Sequence, residues 1–425
     1  MKEKDTQGDL LKNNKIMDLK NWLSILLSFG SFFILSQPQL TNYNQNNSPL
    51  PFNTVRCIAI QDSIKWFGTD DGLARFDNQN WTIYNSSNSP LTSNDIRALK
   101  VENDSILWIG TISGGVFRFN GINWINYTEF NSGLLDNLVR GIEIDLEDNI
   151  WFATTEGISM FDRINWYHWT IASHGLQTNN ITSIGIGLQN EKYIGTINGG
   201  LDYFTPNNQL TIHSIVESGL PDNSALDIDI DANGKPWFAT PAAGLVTDLG
   251  NGGPWDRFNM SNSPIPTNGL TCLAIDPFDQ RIFMGTELNG ILIKKENIWF
   301  SYNMENIGLQ DNYITSLTHE NNQIKWAGTY DHGVIRIEEN TSGQSDNQLT
   351  GIQIYPTLLS AGESINIDTE DEINQVYLFN DLGSKIYIDR EPTNQIKLPT
   401  SLGSGNYILQ ISLSNSIVRK KIVVL

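Results

Sequence analysis

Residues 94–119 read NDIRALKVENDSILWIGTISGGVFRF, and the WIGT at the middle of that stretch decides the fold. It is one of seven copies of a short cadence: WFGT from Trp66, WIGT from Trp108, WFAT from Trp151, YIGT from Tyr193, WFAT from Trp237, FMGT from Phe283 and WAGT from Trp326. Successive copies lie 42, 43, 42, 44, 46 and 43 residues apart. A period that even marks a repeat architecture, in which one unit cannot bury its apolar face alone and neighbours must stack. After each Thr comes a Gly (Gly72, Gly115, Gly157, Gly200, Gly244, Gly290, Gly333), then a short apolar run such as LARF, VFRF or LDYF.

Working outward, each unit resolves into strands. Ahead of the cadence stand VRCIAI from Val55, IRALKV from Ile96, VRGIEI from Val139 and ITSIGI from Ile181, rich in the residue types that favour a half-buried strand. Asp148-Asn149 and Asn233-Gly234 supply the tight turn that follows. The cadence is the second strand, the run after the Gly is the third, and NWTIYN, NWINYT or IWFSYN is the fourth. Four antiparallel strands in about 43 residues make one propeller blade. The last unit breaks off into TSGQSDNQ after three strands, while residues 40–55, LTNYNQNNSPLPFNTV, align with residues 81–96, WTIYNSSNSPLTSNDI, at a constant offset of 41. The N-terminal strand is therefore expected to complete blade seven, which removes two open edges from the ring. The expected fold class is all-β, a seven-bladed β-propeller followed by a small C-terminal β-sandwich.

Composition narrows the function. The chain has 425 residues, of which 17% are charged, and a formal net charge of −20. That balance argues against nucleic-acid partners. WLSILLSFGSFFIL, from Trp22 to Leu35, is an uncharged run preceded by Lys12, Lys15 and Lys20; it reads as the core of a signal peptide over residues 1–36 and is short for a membrane span. No membrane span is expected in the mature chain. Cys57 and Cys272 hold the same place in blades one and six, with blade seven between them, so they are expected as free thiols rather than a disulfide. The propeller is assigned residues 37–340, a polar linker residues 341–351, and a separate domain residues 352–425.

That last domain, with IQIYP, SINID, QVYLFND, SKIYID, NYILQIS and VRKKIVVL, reads as a small β-sandwich. IYPTLLSAGESINID, VYLFNDLGSKIY and LGSGNYILQISLSNSIVRKKIVV resemble the opening, central and closing strands of the C-terminal sorting domain of proteins exported by the bacterial type IX secretion system. Pro356 is followed by Thr357, so the Pro-Asn-Pro form of the opening is missing. The resemblance implies an address read by type IX secretion machinery and a secreted or cell-surface destination. The repeats resemble those of the two-component regulator propeller family, N-x-I-x-x-I-x-x-D-x-x-G-x-I-W-I-G-T-x-x-G-G-I-x-x-F. In that family such propellers are outer-facing sensor halves associated with glycan fragments. This sequence shows neither a second propeller nor a kinase or DNA-binding region, so the resemblance implies binding rather than signalling by its own chain.

In a propeller the loops entering each first strand and those between second and third strands open on one face, around the channel mouth, where pockets are favoured. Those loops carry Asp70, Asp71, Glu156, Asn198, Glu287, Tyr330, Asp331 and His332, with Ser113 and Asn289 beside them. At the second position of the first strand stand Arg56, Arg97 and Arg140 in consecutive blades. Guanidinium forks there are expected either to bind carboxylates of a ligand or to be consumed by rim acids. No HExxH, paired-Cys or GxSxG motif occurs. No cofactor and no metal are expected; DIDIDANG from Asp227 superficially matches a calcium loop but lacks the acid at its twelfth position and aligns with an ordinary first strand. The expected function is binding of a glycan or a surface protein at the channel mouth. The alternative is a polysaccharide lyase using His332 as general base.

Overall fold

The computed structural model describes residues 38–339, apart from 103–104, 214–217 and 249–254, and residues 352–424, apart from 356–357, 370–372, 381–384, 390–393, 403–404 and 414–416. The expected signal peptide and linker lie outside these residues. The first unit is a ring of seven four-stranded antiparallel sheets. Blade two is representative: Ile96–Glu102, Ile106–Thr111, Val116–Phe119 and Trp124–Tyr127, each strand paired with the next. Blade seven runs Ile314–His319, Ile324–Thr329 and Val334–Glu338, and its fourth strand is Gln39–Tyr43 from the other end of the propeller. Tyr43 stands opposite Val334, as Tyr84 stands opposite Leu73 in blade one. Its ring stacks on Trp326 at 6.0 Å and meets Phe76 at 5.3 Å, so the join is packed as well as hydrogen-bonded.

The repeat residues have mechanical roles. The cadence Thr is buried in every blade, and its hydroxyl donates to the carbonyl of the Gly that follows, at 2.7 Å in Thr69 and 2.8 Å in Thr329. That Gly has positive φ throughout, for example 75° at Gly115 and 83° at Gly333. A Cβ there would also sit against the fourth-strand carbonyl of Tyr127 or Tyr43, so only Gly fits. The indoles of Trp108, Trp151 and Trp326 donate to Glu102, Asp145 and Glu320, the acid ending or following the first strand of the same blade. Two of these acids also receive a buried lysine from the next blade, Lys65 on Glu320 at 2.7 Å and Lys192 on Asp145 at 3.4 Å. The Trp is thus core and part of the interblade fastening, since buried charge is tolerated only when paired.

In six blades the register of the first strand shifts between its first and third residues, a β-bulge whose extra residue is Arg56, Arg97, Arg140, Thr182, Thr271 or Thr315. A bulge re-aims the side chain it carries. Cys57 and Cys272 are free and follow this position, abutting Gly68 and Gly285; burial pushes both thiols up.

The second unit, described by itself, has two sheets around one core. Ile352–Tyr355, Ser364–Thr369 and Gln395–Lys397 form one; Leu358–Leu359, Ile417–Val424, Gly405–Leu413, Ile373–Asn380 and Lys385–Asp389 form the other. Ile365, Ile367, Val376, Leu409 and Ile411 are among its buried residues.

Candidate functional site

The bulge brings Arg56, Arg97 and Arg140 of blades one, two and three to one place. Together with Ile112 and Leu138 they line a cavity of about 330 Å³. Ile112 sits on the turn between the second and third strands of blade two, and Leu138 immediately precedes the first strand of blade three.

The three guanidinium groups differ in what they hold. Arg56 makes a two-point pair with Asp70, Nε to Oδ1 at 2.7 Å and Nη2 to Oδ2 at 2.9 Å, and that hydrogen-bonded pair holds its pKa above the usual arginine value. Its flat face lies 5.4 Å from the Tyr330 ring, which in turn stacks on Tyr313 at 4.8 Å. Arg97 gives Nη2 to Asp95 Oδ2 at 2.6 Å, and its buried Nε meets no acceptor among the described residues. Arg140 donates Nη1 to the side-chain oxygen of Asn180 and has no ion pair among the described residues. Burial, then the charge of Arg97, push its pKa down. Asp136, the acid that faces it electrostatically, accepts the Leu138 N–H at 3.2 Å and the Thr155 hydroxyl.

The other expected residues do not line the cavity. Asp71 accepts from Asn94 Nδ2 at 2.9 Å. Glu156 and Asn198 hold their loops through backbone N–H bonds to Thr154 and Ser224, Asn198 with a φ of 63°. Glu287 is exposed on blade six, and its charge adds to burial in pushing the Tyr313 phenol up. Asp331 and His332 both turn to Asp311, the first through its N–H at 3.0 Å and the second through Nδ1 at 3.2 Å. Asp95, Asn180 and Leu138 escaped sequence reasoning. All three occupy the equivalent position in the loop that enters a first strand, and it differs in every blade: Thr54, Asp95, Leu138, Asn180, Ser224, Gly269 and Tyr313. That variability was the available signal.

No family model and no curated protein matches the chain. Solved structures do. The extracellular domain of the putative hybrid two-component system BT3049 from B. thetaiotaomicron is similar with a TM-score of 0.61 and 19% identity, over 91% of this chain and 57% of that one. PorZ, described as an essential bacterial surface component of the type-IX secretion system of Porphyromonas gingivalis, has a TM-score of 0.60 and 16% identity over 88% of this chain and 60% of that one. YCF48 bound to D1 peptide has a TM-score of 0.55 and 12% identity over 72% of this chain and 97% of that one. The chain thus spans less than two thirds of the length of the first two. At these identities the likeness shows the fold, a seven-bladed propeller shared with extracellular domains of two-component systems. No helix among the described residues is long and apolar enough to cross a membrane.

Proposed function

We propose that this chain is an exported, surface-displayed propeller that binds a glycan or a partner protein at the channel mouth and delivers no chemistry of its own. The observation that carries the reading is the cavity into which three consecutive blades project arginine, one of them without an ion pair among the described residues. Donors prepaid by the fold and left without an acid partner are a recognition device, since a buried cation gains most from an incoming acceptor. Export is supported by the uncharged run at residues 22–35 and by the likeness of residues 352–425 to a type IX sorting domain. It is also supported by the extracellular or surface descriptions of BT3049 and PorZ, and YCF48 offers the precedent of a propeller holding a peptide.

The test is a glycan array and a panel of immobilised surface proteins, probed with the parent chain and with Arg56, Arg97 and Arg140 all replaced by Gln. Ligands retained by the parent should be lost by the triple variant while its thermal unfolding stays cooperative. Equal retention by both would remove the arginine cavity as the binding surface.

A further inference from the structure

Resting on that reading, we infer that the cavity accepts a single carboxylate carried beside an apolar side chain, as at the C-terminal residue of a peptide, with Arg140 as its principal ligand. The pairing at the site limits the charge it can take. Arg56 is matched by Asp70 along both edges of its fork, and Arg97 is matched by Asp95. Arg140 keeps a full charge against a neutral amide, with Asp136 engaged by Leu138 and Thr155. One cation therefore lacks an ion-pair partner among the described residues, and Arg97 Nε is a buried donor that meets no protein acceptor among them. A single carboxylate supplies the missing partner of Arg140. A doubly charged sulfate or a polyanion would find one free cation amid three rim acids.

The walls choose among carboxylates. Ile112 and Leu138 are aliphatic, Ile112 with 37% of its surface exposed, and no aromatic ring among the described residues lines the cavity with them, Tyr330 meeting Arg56 without joining that lining. Sugar rings are commonly held flat on aromatic faces, whereas a branched aliphatic surface suits an apolar amino-acid side chain. About 330 Å³ is at the small end of ligand pockets and fits a terminal residue rather than a long chain segment.

The experiment is isothermal titration of the full chain at low ionic strength with four probes: acetyl-Ala-Leu with a free carboxylate, the same dipeptide as its amide, an oligogalacturonate, and that oligosaccharide fully methyl-esterified. The acid dipeptide should bind at least about tenfold tighter than the amide, the worth of one charge-assisted contact, and the margin should shrink as salt rises. Arg140→Gln should erase the margin, and Arg140→Lys should restore part of it. Thermal unfolding unchanged in both variants separates these effects from misfolding. Equal binding of acid and amide, or a margin that survives Arg140→Gln, overturns the carboxylate inference and leaves binding at the mouth standing. Oligogalacturonate binding tighter than the dipeptide, and lost on esterification, overturns the peptide assignment. Failure of all four probes overturns the inference, while retention on the array, if it persists, keeps the parent reading.

Discussion

Blades one to three and blades four, six and seven carry the same bulge and use it oppositely. In the second group the bulge residue is Thr, and its hydroxyl donates to a carbonyl at the entry to the next blade's first strand: Thr182 to Ala225 at 2.5 Å, Thr271 to Ile314 at 2.6 Å, and Thr315 to Val55 across the ring closure. In the first group Arg turns to the rim instead, and its partners are Asp70, Asp95 and Asn180. The backbone is held constant, so the difference lies in one side chain: a hydroxyl staples neighbouring blades, and a guanidinium leaves that carbonyl for a cavity. On the proposed reading, a binding cavity is obtained locally, by exchanging one threonine staple between blades for a guanidinium.

The comparison depends on a frame that both sectors share, and the sharpest way to break it is to damage that frame once in each. Ala at Gly115, in the arginine sector, and at Gly333, in the closing blade, would meet a positive φ and a fourth-strand carbonyl. Each should lose about 3 kcal/mol or more, combining the left-handed backbone cost with overpacking. Urea midpoints of the two variants should fall together. A mild loss at Gly333 against a large one at Gly115 would mean that the join made by Tyr43 yields where an ordinary blade does not.

Blade four offers an opposite test, because it places a charge in the shared apolar frame without a use for it. Asp202 is fully buried, faces Ile194 across the sheet, and neither carboxylate oxygen meets a donor among the described residues. Other blades hold Phe117, Val246 or Ile335 there. Burial pushes its pKa up to about 7 from an ordinary 3.8. A raised folded-state pKa means the native state keeps a proton that the unfolded chain releases, so this group's contribution is present below about pH 4 and is lost as pH rises through about 7. Asp202→Val should therefore stabilise the propeller by roughly 2 kcal/mol at pH 8, with the gain shrinking toward pH 5. A gain independent of pH between about 5 and 8 would show that the carboxyl is already ionised in the folded ring across that range, its pKa not raised by burial.

These contrasts mark how far the sequence can be read. The period and the offset between LTNYN and WTIYN disclosed the ring and its closing strand because strand positions repeat, and repetition is visible in one dimension. Equivalence of position likewise predicted that Arg56, Arg97 and Arg140 share a face. Their pairing was not legible. Asp70 lies fourteen residues after Arg56, Asp95 two before Arg97, and Asn180 forty after Arg140, in the next blade. No common spacing exists to find. DIDIDANG was equally opaque: Asp227 and Asp229 accept the Leu273 and Ile275 amides of the neighbouring first strand at 2.8 and 2.7 Å, supplying acceptors to an otherwise unpaired strand edge. Burial pushes them up to about 7 and about 6.

The finest test separates the three arginines from one another. If the free charge of the cavity is set by pairing, removing a rim acid should improve it, and Asp70 is the one whose loss liberates an entire fork. Asp70→Asn keeps the shape and one acceptor oxygen but takes away the charge that Arg56 now holds at 2.7 and 2.9 Å. Stability should change by less than about 1 kcal/mol, because the pair is partly solvated and such pairs contribute little. Affinity for the acid dipeptide should rise about three- to tenfold at low salt, the gain should fade as screening increases, and the amide dipeptide should not respond. Replacing Arg56 itself by Gln should weaken the acid dipeptide, even though Arg56 is already occupied, since Asp70 is then left as a bare carboxylate at the edge of the cavity. Opposite signs from the two halves of one ion pair would show that the ligand senses the balance of charge rather than the mere presence of arginine. Equal signs would mean that Arg56 and Asp70 act as a structural unit, and the arginine sector would shrink to blades two and three.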